Sequence, residues 1–198
     1  MLIRSPSARR DDGPVSVETE EGELLFTKTM VAAAVVTTAL SGAGLAAAQD
    51  REPGVGAQAV SGPFNLRIGF SPFRNLEAVR STVDQAGGAI RQWNFDGTDE
   101  QEWLFFSDST IRPVLNTKMC LDANPDDNRN GGQVYVWPCH GGAPQVWRPW
   151  NNQGLTLQNA ATGRCLDANP DDSRNGGAIY QWDCHGGAPQ QWTRVRRG

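Results

Sequence analysis

Residues 120–127 read CLDANPDD, and the same eight letters recur at residues 165–172. A second motif, CHGGAPQ at residues 139–145, recurs at residues 184–190, so both motifs repeat with one offset of 45 residues. Self-similarity at a fixed period of this size is the sequence signature of a fold built from repeated units. The chain therefore contains at least two copies of one unit.

A third copy lies upstream and has diverged further. Residues 75–78 (NLEA) stand in the place of CLDA, and residues 90–93 (IRQW) match residues 134–137 (VYVW). Gln101-Glu102-Trp103 matches the Gln-x-Trp triplets that end the two later copies. The sequence thus predicts one domain over residues 64–198 with three repeats, at about residues 64–109, 110–153 and 154–198.

Short runs within each copy alternate apolar and polar residues, as in Gln133–Trp137 (QVYVW), and Gly-Gly and Asn-Pro turns separate them. Alternation with a period of two is typical of half-buried β-strands. One copy cannot bury its apolar face alone, so three copies must pack together. We therefore expect an all-β fold in which Trp103, Trp147 and Trp192 supply one core tryptophan per repeat.

The charge of the chain argues against polyanionic partners. The formal net charge is −4, and the positive charges are not gathered into long basic runs. Such a chain has little attraction for phosphate backbones or anionic membranes, so we expect no nucleic acid partner.

The first third of the chain does not read as a folded domain. Residues 29–48 are apolar and rich in small residues, and they end in Ala46-Ala47-Ala48, a pattern that a signal peptidase accepts. A membrane anchor is the alternative, but the stretch is only weakly hydrophobic and no basic stop-transfer cluster follows it. We expect residues 1–48, with a long and acidic leading region, to be a signal peptide, residues 49–63 a flexible linker, and the product secreted without a membrane segment.

Three repeats that end in Gln-x-Trp, two of which begin with Cys-Leu-Asp, resemble the ricin B-type lectin family. This resemblance implies a β-trefoil. The wording CLDAN, Val134-Tyr135 and Cys-His-Gly-Gly is also similar to actinohivin-like mannan-binding lectins of bacteria and to the trefoil modules attached to bacterial xylanases. The ligand that these resemblances imply is a glycan or polysaccharide of the mannan, galactoside or xylan class.

A saccharide offers hydroxyls and an apolar C–H face, so its site needs a fixed carboxylate or amide and an aromatic platform. Both intact repeats supply such a set, and strand alternation places the Tyr and Trp of each set on one face. In the second repeat the candidates are Asp122, Tyr135, Trp137, His140 and Gln145. In the third repeat they are Asp167, Tyr180, Trp182, His185 and Gln190.

Each candidate also has a structural interpretation. The aspartates can cap turns, the tryptophans can pack in the core, and the glutamines can hold the loop that carries the site. By resemblance, the two aspartates match the residue that ricin-type sites use for sugar hydroxyls. Pro144 and Pro189 stand where many of those sites have an asparagine, so galactose specificity is not implied. The first repeat has Glu77, Arg91, Trp93 and Asp96 at the site positions, which predicts an altered site.

Four cysteines allow three disulfide connectivities, and the repeat favours pairing within each copy: Cys120 with Cys139, and Cys165 with Cys184. In an oxidising compartment each bridge would close a loop worth roughly 3 kcal/mol of stability. Zinc binding by Cys139, His140, Cys184 and His185, and calcium binding by residues 124–132 and 169–177, are weaker alternatives.

These observations predict a secreted carbohydrate-binding protein without catalytic residues, metal or cofactor. Two weak sites would gain by engaging one polymer together. The candidate carboxylates all lie in repeated units, whereas a glycosidase needs an asymmetric acid and base in one cleft. The alternative function is a protein-binding β-trefoil such as a protease inhibitor.

Overall fold

A computed structural model describes residues 58–151 and 155–197 of the chain, where it contains twelve β-strands and five single-turn 3-10 helices. The signal peptide and most of the linker that the sequence predicts lie outside these residues. The strands are β1 Val60–Ile68, β2 Asn75–Ala78, β3 Ile90–Trp93, β4 Glu102–Phe106, β5 Ile111–Pro113, β6 Met119–Ala123, β7 Gly132–Pro138, β8 Trp147–Pro149, β9 Leu157–Asn159, β10 Cys165–Ala168, β11 Ile179–Trp182 and β12 Trp192–Val195. The 3-10 helices are Asp99–Gln101, Pro125–Asp127, Ala143–Gln145, Pro170–Asp172 and Ala188–Gln190. No helix within the two described stretches has both the length and the apolar character to cross a membrane.

The strands fall four to each repeat. The second and third strands of each repeat form antiparallel hairpins, β2–β3, β6–β7 and β10–β11. The first and fourth strands pair with one another or with the neighbouring repeat, as in β1–β4, β4–β5, β8–β9 and β1–β12. This arrangement is a β-trefoil, which confirms the fold that the sequence predicts.

One tryptophan from each repeat lies in the core, as the Gln-x-Trp triplets indicated. Trp103, Trp147 and Trp192 are almost completely buried within one continuous apolar cluster. A buried indole N–H needs an acceptor, and each of these donates to a leucine carbonyl of its own repeat, at 2.9–3.1 Å. The acceptors are Leu76, Leu121 and Leu166. Each triplet therefore fixes the last strand of its repeat to the strand that carries the candidate acidic residue.

Three glycines join the repeats around the pseudo-threefold axis. A Cβ on Gly132 would lie 2.0 Å from the carbonyl oxygen of Asp127, and Gly88 and Gly177 are equally crowded by backbone oxygens. No side chain fits at these positions, because each Cβ would clash with a carbonyl oxygen of the turn in its own repeat. At the same place the backbone hydrogen bonds between the three hairpins form a ring. The first repeat bonds to the second (Val136 N to Gly88 O, 2.9 Å), the second to the third (Gly131 N to Gln181 O, 3.0 Å) and the third to the first (Gly176 N to Gln92 O, 2.9 Å).

Strand β1 begins earlier than the sequence predicts. The predicted linker extends to residue 63, but Val60 and Ser61 already pair with Phe106 and Phe105 of β4. The Gly- and Pro-rich composition around Pro63 suggested a linker, whereas a register shift between Ser61 and Phe64 accommodates these residues within the strand.

The two disulfides have the pairing that the repeat favours. Cys120 is bonded to Cys139 and Cys165 to Cys184, each across 19 residues. Because all four thiols are oxidised, none of them is available as a zinc ligand.

Candidate functional site

The hairpin and the following loop of the third repeat bring together four of the five residues that the sequence predicted for its site. Asp167 in β10 lies opposite Tyr180 in β11, and the chain that follows β11 returns His185 toward the carboxylate. These residues line a cavity of about 310 Å³, which is of the size that holds small ligands. Its walls consist of Asp167, Pro170, Asp171, Tyr180, Trp182, His185 and Pro189.

The carboxylate of Asp167 lies at the inner end of this cavity. Only 2% of the residue is exposed, and its Oδ2 accepts a hydrogen bond from Gln190 Nε2 at 2.9 Å. The same oxygen lies 3.2 Å from His185 Nε2. Burial raises the pKa of Asp167 above its ordinary value, although Gln190 and His185 oppose this shift. Since both contacts are made by Oδ2, Oδ1 is left as an acceptor for a ligand.

An aromatic pair forms one wall beside the carboxylate. The rings of Tyr180 and Trp182 lie 5.4 Å apart and tilted by 37°, and both side chains are half-buried. Burial and the nearby charges of Asp167 and Asp171 raise the pKa of Tyr180 to about 12, so its hydroxyl keeps its proton and remains a donor. The predicted shared face of the two rings is therefore present.

The second repeat carries the same arrangement. Asp122 is 3% exposed, its Oδ2 lies 3.4 Å from His140 Nε2, and burial raises its pKa. The rings of Tyr135 and Trp137 lie 5.5 Å apart. Trp137 is 38% exposed, which argues against the core-packing interpretation of this tryptophan.

The glutamines of the Gln-x-Trp triplets contact no solvent. Gln145 and Gln190 are each 0% exposed, and the Oε1 of each accepts the backbone N–H of the histidine in its own repeat at 2.8 Å. The Nε2 groups donate to the carbonyls of Pro138 and Asp183. These glutamines thus hold the histidine loop and the carboxylate in place, while the residues exposed in the cavity are left to contact a ligand. The sequence had offered both roles.

Turn capping belongs to residues other than the two site aspartates. Asn124 accepts the backbone N–H of Asp126 at 3.0 Å, and Asp127 accepts that of Gln133 at 2.9 Å. Asp127 also pairs with Arg129, so its carboxylate is already engaged within the loop for which calcium was an alternative. Pro170 and Asp171, which the sequence analysis did not include among the candidate sugar-binding residues, form part of the cavity wall. Their position directly after the Cys-Leu-Asp strand is the signal that could have identified them.

The first repeat has a cavity at the corresponding place, but with different chemistry. Glu77 forms an ion pair with Arg91 at 2.7 Å and accepts a hydrogen bond from Gln101 at 3.1 Å. The guanidinium of Arg91 lies 3.8 Å from the ring centre of Trp93 and so covers its face. Both the acidic group and the aromatic surface are therefore engaged within the protein, and Asp96 lines the same cavity of about 560 Å³.

Comparison with known proteins agrees with this architecture. The family model of the ricin-type beta-trefoil lectin domain matches residues 76–192. No curated protein matches the chain. Among solved structures, the designed threefold-symmetric protein ThreeFoil is similar with a TM-score of 0.57 and 21% identity over 66% of this chain and 96% of its own.

Two natural lectins are also similar. The agglutinin from Abrus precatorius has a TM-score of 0.53 and 25% identity over 67% of this chain, and the match covers about half (47%) of its own length. The C-terminal half of an earthworm R-type lectin, solved in complex with GalNAc, has a TM-score of 0.54 and 20% identity over 68% of this chain and 98% of its own. The family match extends over more than half of the sequence, and the chain belongs to the family of ricin-type β-trefoil lectin domains.

Proposed function

We propose that this chain is a secreted, non-catalytic carbohydrate-binding protein that holds a glycan through the pockets of its second and third repeats. The observation that supports this proposal is a buried carboxylate that faces a histidine and lies in the same repeat as a partly exposed Tyr–Trp pair, an arrangement built twice on the same scaffold.

The pocket of the third repeat offers complementary groups for each face of a sugar ring. Asp167 Oδ1 accepts a hydroxyl, and the phenol of Tyr180 donates a hydrogen bond to a sugar oxygen. The exposed surface of Trp182 packs against the C–H face, and His185 contacts a further hydroxyl from the opposite side. Asp122, Tyr135, Trp137 and His140 do the same in the second repeat.

These groups suit a saccharide of more than one class. The earthworm lectin, which is similar in fold, was solved with GalNAc. In the present chain Pro189 lines the pocket where many ricin-type sites have an asparagine, so one hydrogen bond to the sugar is lost. The binding panel therefore has to include mannans and xylans as well as galactosides.

Two pockets on one rigid domain favour a polymeric ligand. Each pocket alone would bind at about the millimolar level, which corresponds to about −4 kcal/mol. When one polysaccharide engages both pockets, the second binding event becomes intramolecular and the apparent affinity rises by orders of magnitude.

Binding without catalysis fits the duplicated chemistry. Asp167 and Asp171, which line the pocket of the third repeat, have counterparts at the same positions of the second repeat, Asp122 and Asp126. Such duplication suits repeated binding, whereas hydrolysis needs an acid and a base whose environments separate their pKa values. Incubation with the bound glycan should release no reducing ends.

The test is a glycan array with the full chain, oxidised, beside Asp122→Asn, Asp167→Asn and the double variant. Each single variant should lose multivalent binding, and the double variant should lose all binding to the glycan that the parent selects. Asp84→Asn, which removes an exposed carboxylate outside the pockets, is the matched control and should bind as the parent does. Absence of binding by the folded parent to all mannans, galactosides and xylans would refute the proposal and favour a protein-binding trefoil.

Secretion has its own test. Two disulfides are typical of proteins from oxidising compartments, and Ala46-Ala47-Ala48 provides a cleavage site. Mass spectrometry of the protein recovered from a secreting host should therefore find Gln49 at its N-terminus. An intact N-terminal segment on the exported protein would contradict this part of the proposal.

A further inference from the structure

The first repeat has no disulfide, and a cavity is present where the other repeats have their cystines. Asn75 in β2 stands at the position of Cys120 and Cys165, and Phe95 stands at that of Cys139 and Cys184. Both residues line a cavity of about 360 Å³, which is lined by none of the candidate residues of the second and third repeats described above. Its other walls are Asn65, Arg67, Phe73, Val195, Arg196 and Arg197.

The floor of this cavity holds a polar atom that lacks a partner. Asn65 is 2% exposed, and its Nδ2 donates to the backbone oxygen of Gln101 at 3.0 Å, which fixes the orientation of the amide. Its Oδ1 is buried and has no hydrogen-bond partner among the described residues. A buried acceptor without a donor is destabilising, and a hydroxyl group of a ligand is a suitable donor.

Two apolar rings stand at the rim. Phe73 and Phe95 are 60% and 59% exposed, the largest exposures among the apolar residues that the structure describes as exposed. Exposed aromatic rings beside a polar floor are the combination that binds the two faces of a sugar ring.

The charge at the rim is positive and only partly compensated. Arg197 pairs with Asp99 at 3.2 Å and with Glu102 at 3.5 Å. Arg67 and Arg196 take part in no ion pair within residues 58–151 and 155–197; their guanidinium groups lie 5.5 Å and 5.0 Å from the rings of Phe73 and Phe64. Two exposed guanidinium groups are thus free to bind an anion, and the planar guanidinium suits both carboxylate and sulfate groups.

From these features we propose that the cavity is a second kind of saccharide site, specific for an acidic sugar unit. The anionic group, a carboxylate or a sulfate, binds Arg67 and Arg196, a hydroxyl donates to Asn65 Oδ1, and the ring packs against Phe73 and Phe95. This site does not use Asp122 or Asp167, so it can be tested separately from the proposed function.

The experiment is a calorimetric titration of the full, oxidised chain with three oligosaccharides. The first is a galacturonic acid tetramer, the second is its fully methyl-esterified form, and the third is a sulfated galactose tetramer. Binding of the acid and of the sulfated tetramer, or of one of them, with at least about tenfold weaker binding of the ester, is the expected result. The acid and the sulfated arms distinguish which anion the arginines prefer. Measurable binding of the acid that the ester equals, or no binding of either anion, would overturn the proposal.

Charge variants assign the binding to this cavity. Arg67→Gln with Arg196→Gln should weaken binding of the acidic tetramer about tenfold or more. Lys118→Gln with Arg148→Gln removes the same charge from exposed positions elsewhere and should change it less than about twofold. Equal effects of the two pairs would show a general attraction of charge and refute a site.

A third variant removes the Phe95 ring and the Asn75 amide from the cavity wall. Asn75→Cys with Phe95→Cys replaces both by the cystine of the other repeats, whose formation is verified by thiol titration. The bridged protein should lose binding of the acidic tetramer and keep the array profile of the parent, whereas the Asp122→Asn, Asp167→Asn double variant should behave in the opposite way. Retained binding of the acidic tetramer by the bridged protein would place the ligand elsewhere and overturn the proposal.

Discussion

Gln190 Nε2 donates a hydrogen bond to Asp167 Oδ2 at 2.9 Å, and this bond connects the Gln-x-Trp triplet to the carboxylate of the candidate site. The same amide donates to the carbonyl of Asp183 at 2.9 Å and accepts the backbone N–H of His185 at 2.8 Å. Two residues further along, Trp192 belongs to the core. The triplet therefore joins the packing of the fold to the geometry of the pocket.

Replacing Gln190 by leucine should weaken both the stability of the fold and the geometry of the pocket. The backbone N–H of His185 and the carbonyl of Asp183 would lose partly buried hydrogen bonds, at a cost of about 0.5–1.5 kcal/mol for each group. Urea denaturation should show a correspondingly lower free energy of unfolding. Gln191→Leu is the control, because Gln191 is exposed and makes one bond, to the carbonyl of Gly186. Similar losses in the two variants would contradict the role of Gln190.

Asp167→Asn should separate stability from binding. Burial raises the pKa of Asp167 above 3.8, so the folded chain holds this proton more tightly than the unfolded chain does. The stabilising contribution of the protonated carboxyl is fully present below the pKa that Asp167 has in the unfolded chain. It is lost as the pH rises through the pKa that Asp167 has in the folded chain. At neutral pH the ionised carboxylate opposes folding, and asparagine removes that cost. We expect an unchanged or higher Tm together with loss of multivalent glycan binding; a Tm lowered by several degrees would argue that the carboxylate is structural.

Glycan binding should weaken at acid pH, beginning above the ordinary aspartate pKa of 3.8. Protonation removes the acceptor that the sugar hydroxyl needs, and burial moves this event upward in pH. His185, Gln190 and Tyr180 face the same carboxylate, so the midpoint is to be compared with that of His185→Gln. A midpoint that persists in the histidine variant belongs to the carboxylate, whereas loss of the pH dependence in that variant would contradict the assignment to Asp167.

Gln181→Val should destabilise the neighbouring repeat. Gln181 is completely buried, and its Nε2 donates to the carbonyls of Asn124 and Asp127 in the second repeat at 2.9 and 3.1 Å. The equivalent residue of the second repeat is Val136, so valine fits the position but leaves two carbonyls without a donor. We expect a loss of about 1–3 kcal/mol in the free energy of unfolding. Because residues 124–127 follow directly on Asp122, loss of glycan binding should accompany it in the Asp167→Asn background, where only the second pocket remains. Unchanged binding there would contradict the coupling.

Removing either disulfide should lower the free energy of unfolding by about the same amount. Cys120–Cys139 and Cys165–Cys184 each span 19 residues, and a loop of this length contributes roughly 3 kcal/mol by restricting the unfolded chain. Paired Cys→Ser variants, measured by thermal unfolding, should therefore lose similar stability. A much larger loss for one pair would indicate that its repeat depends on the bridge for its native geometry.

The repeat and its spacing were sufficient to predict much of the fold. The offset of 45 residues, the Gln-x-Trp triplets and the alternating runs predicted an all-β fold of three packed repeats, the three core tryptophans and the disulfide pairing. The resemblance to ricin B-type lectins implied the β-trefoil, and the structure confirms these predictions. These features lie within one repeat, where spacing along the chain determines which residues meet.

The repeat pattern of the sequence does not predict the contacts between repeats. Gln181 reaches carbonyls more than 50 residues away, and no periodicity within its own strand indicates that partner. The earlier start of β1 depends on pairing with β4, and the role of Asn65 depends on a cavity lined by the residues at the two cysteine positions of the first repeat. Which of the predicted site residues contact a ligand stays a prediction until binding is measured.

The crowded glycines Gly88, Gly132 and Gly177 have a consequence for how such a protein can change over generations. Each hairpin is held to the next by backbone hydrogen bonds. These bonds do not involve the side chains that line the pockets. A repeat can therefore have a glutamate paired with an arginine in place of its aspartate, or lack its cystine, and still hold its neighbours in position. Redundancy in the scaffold leaves each pocket free to acquire a new specificity while the others continue to work.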